Sequence, residues 1–235
     1  MSDRILWKEG KVKRQSLSSI LVHWSVALST FVLIFSGFGQ LPMYKRFGIV
    51  NLPGLAWAGD YPLTLKMHYL AAIVLTLAVF YHLTEIVLTK DFDLFPKKGD
   101  LREAVKILLA MVGIGKEPPS DKYLAEQRLS YAFIGSNLFI LILTGMLKVY
   151  KNLPGITVNN ALVLWATQLH NLATVLLVLG VLGHLAAFIA KPNRKLLPAL
   201  FTGKVDLAYV QKRHSLWFKR LERQASSSQD SRHIG

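Results

Sequence analysis

Four long stretches of the chain carry no charged side chain: Leu17–Leu41, Met67–Thr84, Leu129–Leu147 and Asn152–Ala190. The last opens with a polar loop that ends near Ala161. About 20 apolar residues in a helix cross the hydrocarbon of a bilayer, so each stretch is long enough to span it. The pattern predicts spans at about 17–41, 65–88, 129–149 and 161–190. The first stretch is too long for a signal peptide, lacks its small-residue cleavage pattern and carries His23–Trp24, which predicts a retained helix with no targeting peptide removed. A different pattern follows Asp100, where Leu101, Val105, Leu108 and Val112 recur at helical spacing while Arg102 and Lys106 lie elsewhere on the turn. That predicts a helix behind an Asp cap, lying at the cytoplasmic interface. Pro118–Pro119 separates it from the third span. Residues 1–225 read as one domain and 226–235, opening on Ser226-Ser227-Ser228, as a flexible tail.

Charge orients these elements. The chain carries 28 Lys and Arg against 14 Asp and Glu, a formal charge of +14. Five of the basic residues lie in 1–16, eight in 88–128 and ten in 191–235, against three in 41–66 and two in 148–160. By the positive-inside rule both termini and the central loop are cytoplasmic, and the two poorly basic loops face outward. This asymmetry accounts for the positive charge without nucleic acid. The 52% hydrophobic content and mean hydropathy of +0.35 agree with an all-α integral membrane four-helix bundle in contact with lipid. The absence of cysteine excludes disulfides, thiolate-held clusters and haem attached through thioethers.

The chemistry lies in the histidines. His23, His68, His82, His170 and His184 fall in or at the ends of the apolar stretches, where ionisable groups are costly and usually functional. His68 and His82 are 14 residues apart, as are His170 and His184. On a helix that spacing returns to within roughly 40° of one face, about 21 Å further along the axis. Two such helices side by side form facing pairs at two depths, as two low-spin b haems with bis-imidazole iron require. The second and fourth spans run inward, so His68 and His170 share the outer level, and His82 and His184 lie toward the cytoplasm. His23, near the cytoplasmic start of the first span, competes with His82. Any one of these histidines alone is more simply a packed polar group; the repeated spacing makes them a ligand set. His214, among Lys212, Arg213 and Arg220, reads as a surface group, and His233 as tail. Gly37, Gly39, Gly135, Gly145, Gly180 and Gly183 permit close approach of a macrocycle or of another helix. Arg14, Arg128 and Lys191 are candidates for haem propionates, although a solvated basic flank explains each as well.

His23-Trp24 opens the first span and Lys66-Met67-His68 the second. Lys122-Tyr123 with Gln127-Arg128 precede the third; Gly203-Lys204-Val205 and Lys212-Arg213-His214-Ser215-Leu216-Trp217 follow the fourth. With these motifs the chain resembles, over nearly its whole length, the gamma subunit of membrane-bound respiratory formate dehydrogenases, a dihaem cytochrome b. The resemblance implies two haem b groups, the outer held by His68 and His170 and the inner by His23 and His184, with the iron of each as the bound metal; His82 has no counterpart ligand. It implies electrons arriving from an iron–sulfur subunit and, through it, a molybdenum or tungsten catalytic subunit outside the membrane. They would leave to menaquinone or another quinone near the cytoplasmic face, in the vicinity of Lys122, Tyr123 and Gln127. It places no substrate-dehydrogenase chemistry on this chain. The pattern departs from the family at Leu124, where the family has asparagine, at Glu126, where it has glycine, and at Ile20, where it has arginine; Arg14 is the candidate substitute. The cytochrome b of a hydrogenase or thiosulfate reductase complex is the nearer alternative, and a non-redox membrane anchor or proton channel the more distant one.

Overall fold

The computed structural model describes residues 4–233. Among the described residues, ten α-helices follow two short strands, β1 (Ile5–Leu6) and β2 (Lys11–Lys13), with a third strand, β3 (Lys204–Asp206), late in the chain. The helices are α1 (Leu17–Gln40), α2 (Met43–Arg46), α3 (Tyr61–Thr89), α4 (Asp100–Met111), α5 (Ala125–Tyr150), α6 (Asn160–Ala186), α7 (Lys191–Arg194), α8 (Ala199–Thr202), α9 (Leu207–Arg213) and α10 (Ser215–His233). Helices α1, α3, α5 and α6, the last extended by a 3₁₀ turn to Ile189, are long and apolar enough to cross a membrane. Protein buries at most 17% of any of their apolar windows, so most of that surface is left for lipid.

The ends of these helices follow local rules. Asp60 caps α3 by accepting from the Leu63 N–H at 3.1 Å, and Pro62 stands in the first turn, where its missing N–H costs nothing. Lys90 ends the helix in the left-handed region at φ 53°. In α4 the cap is Gly99, at φ 94°, rather than Asp100. Asp100 instead begins the helix and turns its carboxylate to the Lys97 N–H, 2.7 Å away, and to Arg128. Helix α10 continues through Ser226–Ser228, where the sequence predicts a tail, to His233; residues 234 and 235 of that expected tail lie outside the described residues.

The chain divides into two compact units. The first comprises Met1–Ile20, Asp91–Ser136 and Leu179–Gly235. Its three strands form an antiparallel sheet in the order β1-β2-β3, with Val12 opposite Val205. Ile5, Val12, Val205, Val210, Trp217 and Leu221 close over it as a core. A second core joins α4 to the start of α5 through Ala104, Ile107, Leu124 and Ala125. The face of α4 that meets this core is therefore Ala104–Ile107. Leu101, Val105, Leu108 and Val112 lie exposed on its other sides, where an interfacial helix offers side chains to lipid. Beside this core, Arg128 makes a two-pronged pair with Asp100 through Nε, at 2.7 Å, and Nη2.

The second unit comprises Leu21–Lys90 and Asn137–Val178. Gly39 of α1 lies so close to α3 that an added Cβ would stand 2.6 Å from Thr64 Cγ2. Phe35 packs against Tyr44 and Trp57, with ring centres 5.1 and 5.4 Å away, and the Tyr44 hydroxyl donates to the Phe35 carbonyl at 2.8 Å. These contacts fold the loop 41–60 back onto the end of α1.

Candidate functional site

Helices α3 and α6 bring His68 and His170 together within the second unit. Their ring centres are 6.5 Å apart and their planes 53° from parallel. A metal–imidazole bond is about 2 Å long, which with the ring radii separates the ring centres of a bis-imidazole site by roughly 6 Å. The pair thus stands at the spacing an iron between the rings needs.

Both imidazoles are fixed at Nδ1. Ser36 Oγ of α1 lies 3.0 Å from His68 Nδ1, and Thr144 Oγ1 of α5 lies 2.9 Å from His170 Nδ1. Each ring also rests against a glycine: a Cβ on Gly37 would meet His68 Cε1, and one on Gly145 would meet His170 Cε1, both at 3.6 Å. With Nδ1 engaged, Nε2 is the nitrogen each ring offers to a metal. The residues fit a b haem held between α3 and α6. Of the other glycines, Gly39 and Gly180 serve close packing, against Thr64 and Phe133, while Gly135 and Gly183 border open space.

The remaining intramembrane histidines are placed by their helices. His23 lies in the second turn of α1, edge-on to Trp24 at 5.7 Å, and His82 two turns before the end of α3. His184 lies two residues from the end of α6, edge-on to Phe188 at 6.2 Å.

A second polar constellation occupies the first unit. His214, read from its charged neighbours as a surface group, is wholly buried. Its Nδ1–H donates to the Asp121 carbonyl at 2.7 Å, and Tyr209 and Trp217 meet its ring edge-on. Burial, and then the Arg14 charge, push its pKa down to about 3, so the ring is neutral and Nε2 accepts from Arg14 Nη1 at 3.5 Å. Arg213 does not force His214 outward because its own charge is met by Glu117 at 2.7 Å.

Arg14 is itself buried. Its partners are neutral: His214, the Gln127 Oε1 that accepts from Nη2 at 3.3 Å, and the rings of Tyr123 and Trp217, 5.2 and 5.8 Å from the guanidinium carbon. Burial lowers its pKa from the ordinary guanidinium value. The structure thus gathers Arg14, Tyr123 and Gln127 around one buried cation. Lys122 joins them through Nζ, 4.8 Å from the Tyr123 ring centre, and pairs with Asp91 at 3.6 Å. Leu124 is fully buried in the core with α4, so the position that departs from asparagine serves packing. Both Glu126 carboxylate oxygens are buried without a hydrogen-bond partner among the described residues. Arg128 is committed to Asp100 and the Tyr123 carbonyl, and Lys191 is exposed.

The sequence reading did not single out Ser36 and Thr144, and it placed the buried His214 at the surface. The signal for the first two is a hydroxyl residue directly before Gly37 and Gly145.

Comparison with known proteins agrees with this chemistry. The family described as prokaryotic cytochrome b561 matches residues 14–203. The cytochrome b556(Fdn) subunit of the nitrate-inducible formate dehydrogenase of Escherichia coli (strain K12) is 23% identical over 203 residues, 86% of this chain and 87% of its own length. The same identity and coverage hold for the corresponding subunits of Escherichia coli O157:H7 and Shigella flexneri. The chain belongs to the prokaryotic cytochrome b561 family. It is a multi-pass inner-membrane electron-transfer subunit of the haem b class, related to the cytochrome b subunit of formate dehydrogenase.

Proposed function

We propose that this cytochrome carries electrons inward from a periplasmic dehydrogenase of the formate dehydrogenase kind, through two b haems, to a quinone near the cytoplasmic side. The observation that carries the reading is the His68–His170 pair, its ring centres 6.5 Å apart and each Nδ1 engaged by a hydroxyl. Haem b, when bound, supplies reversible one-electron chemistry at each of the two depths. His68 and His170 would hold the outer haem, and His184, with His23 as its partner on the strength of the family resemblance, would hold the inner one. The paired 14-residue spacing puts the two levels about 21 Å apart along a helix.

On the cytoplasmic side, Arg14, Lys122, Tyr123 and Gln127 form the quinone vicinity. A buried guanidinium with neutral partners favours an electron-rich oxygen beside it, which suits a quinone carbonyl that gains electron density on reduction. The quinone takes two electrons from the chain and two protons from the cytoplasm. The relatives' names make formate dehydrogenase the favoured partner class over a hydrogenase or thiosulfate reductase. An iron–sulfur subunit, fed by a molybdenum or tungsten subunit, would dock on the outer loops 42–66 and 148–160, with both termini of this chain in the cytoplasm.

The test uses membranes containing the chain. Dithionite should develop reduced b-type absorption bands, and a naphthoquinone added under anaerobic conditions should reoxidise them. Gln127→Ala should slow the reoxidation and leave the bands in place. A spectrum without b-type bands would end the haem reading, and bands indifferent to quinone would end the quinone half.

A further inference from the structure

Each histidine of the outer pair meets a hydroxyl that has already spent its own hydrogen. Ser36 Oγ lies 2.6 Å from the Val32 carbonyl oxygen, and Thr144 Oγ1 lies 2.7 Å from that of Ile140. A carbonyl oxygen can only accept, so the single hydroxyl hydrogen points back along the helix in both cases. Each hydroxyl oxygen is then an acceptor toward the imidazole, and Nδ1 must carry the proton.

A helical Ser or Thr satisfies itself through the carbonyl four residues back and needs no further partner. The contact therefore serves the histidine. Ser36 is fully buried and Thr144 nearly so. Both directly precede the glycine on which the same imidazole rests, so two different helices repeat one device: a polarised hydroxyl and a bare stretch of backbone, one turn-edge apart. The repeat falls on the two rings that face each other, which a chance packing contact has no reason to do.

We propose that Ser36 and Thr144 are positioning residues that lock His68 and His170 as Nδ1–H tautomers and lower the reduction potential of the outer haem. The proposal rests on the assignment of these histidines as ligands of that haem. A hydrogen bond from Nδ1–H to a polarised oxygen makes the imidazole more basic at Nε2. A more basic axial ligand favours ferric over ferrous iron, so the potential falls.

The experiment compares Thr144→Val, which keeps shape and removes the hydroxyl, with Thr144→Ser, which keeps the hydroxyl and removes a methyl; Ser36→Ala is the parallel on the other ring. The holoprotein is titrated in a redox cuvette, haem is counted as the pyridine haemochrome, and the ferric low-spin signals are recorded by electron paramagnetic resonance. Thr144→Val and Ser36→Ala should raise one midpoint potential and shift one low-spin signal, leaving the other haem unaltered, and Thr144→Ser should match the wild type. Loss of the outer haem from Thr144→Val with its retention in Thr144→Ser also supports the role. Wild-type potentials in Thr144→Val, or equal change in the valine and serine forms, would overturn it. A wild-type protein holding fewer than two haems is a separate result, seen before any substitution, and would remove the ligand assignment itself.

Discussion

Arg14 Nη1 and His214 Nε2 meet at 3.5 Å across 200 residues of sequence, and the contact requires His214 to be neutral. Burial and the Arg14 charge hold its folded pKa at about 3, while an unfolded histidine titrates near 6.5. Arg14 and Arg213 are the cations that face it. The stability this ring contributes is therefore complete above about pH 6.5 and is lost progressively as the pH falls toward 3. Thermal melts of the detergent-solubilised protein at pH 7.5, 6 and 5 should show a falling midpoint. His214→Asn should melt lower at pH 7.5 but fall less between 7.5 and 5. Parallel slopes for the two proteins would contradict the buried, neutral ring.

The Asp100–Arg128 pair is closed off from water on both sides, with side chains 3% and 7% exposed. Removing one partner strands the other charge, which costs about 3–5 kcal/mol in buried pairs. Asp100→Asn should therefore lower the melting midpoint by several degrees, whereas Lys97→Ala, which breaks only the exposed pair with Asp93, should cost under about 1 kcal/mol. The two variants compared in one melting series decide it, and equal losses would count against a structural role for the buried pair.

Gly39→Ala should loosen the second unit, because its Cβ would fall 2.6 Å from Thr64 Cγ2 and 3.2 Å from the Ala58 carbonyl. Overpacking of this kind costs about 1–3 kcal/mol. Thr64 lies one turn before His68, so the outer haem should also be lost more readily on heating. Adding Thr64→Ser removes the clashing methyl and should restore most of the loss; a double variant no better than Gly39→Ala would point to the carbonyl contact instead.

The charge pattern implies that the first and second spans run in opposite directions, which predicts a similar cytoplasmic depth for His23 and His82, and the family resemblance selects His23. His23→Ala should cost one haem per chain, while His82→Ala should keep two and at most shift the inner potential. Haem counts on the two variants separate the choices. An empty inner site in His82→Ala with a filled one in His23→Ala would transfer the role to His82.

The spans were legible because exclusion of charge over some 20 residues has few other causes, and the approach of His68 to His170 because a 14-residue repeat survives without any knowledge of partners. The antiparallel sheet was not. Its strands are two and three residues long, too short for alternation to register, and Val12 finds Val205 only through the fold. The burial of His214 was hidden by Lys212 and Arg213, since the Glu117 that neutralises Arg213 lies 96 residues away. The apolar stripe of α4 was read correctly as a stripe, but Ala104 and Ile107, which carry the protein contact, lie off it. Ser36 and Thr144 look in sequence like ordinary hydroxyls bonded to their own helix, and only the neighbouring histidines give them a second task. For the same reason Leu124 read only as a departure from the family's asparagine, and the fold shows it as a core residue joining α4 to α5.

The most direct measurement is the number of haems held by His170→Ala and by His184→Ala, counted as pyridine haemochrome against protein in the purified chain. Two haems in the wild type, one in each variant, and different surviving midpoint potentials in the two are the predicted result. Two haems retained in His170→Ala, or the same haem lost from both variants, would contradict a ladder with one haem at the level of each of these two histidines of α6.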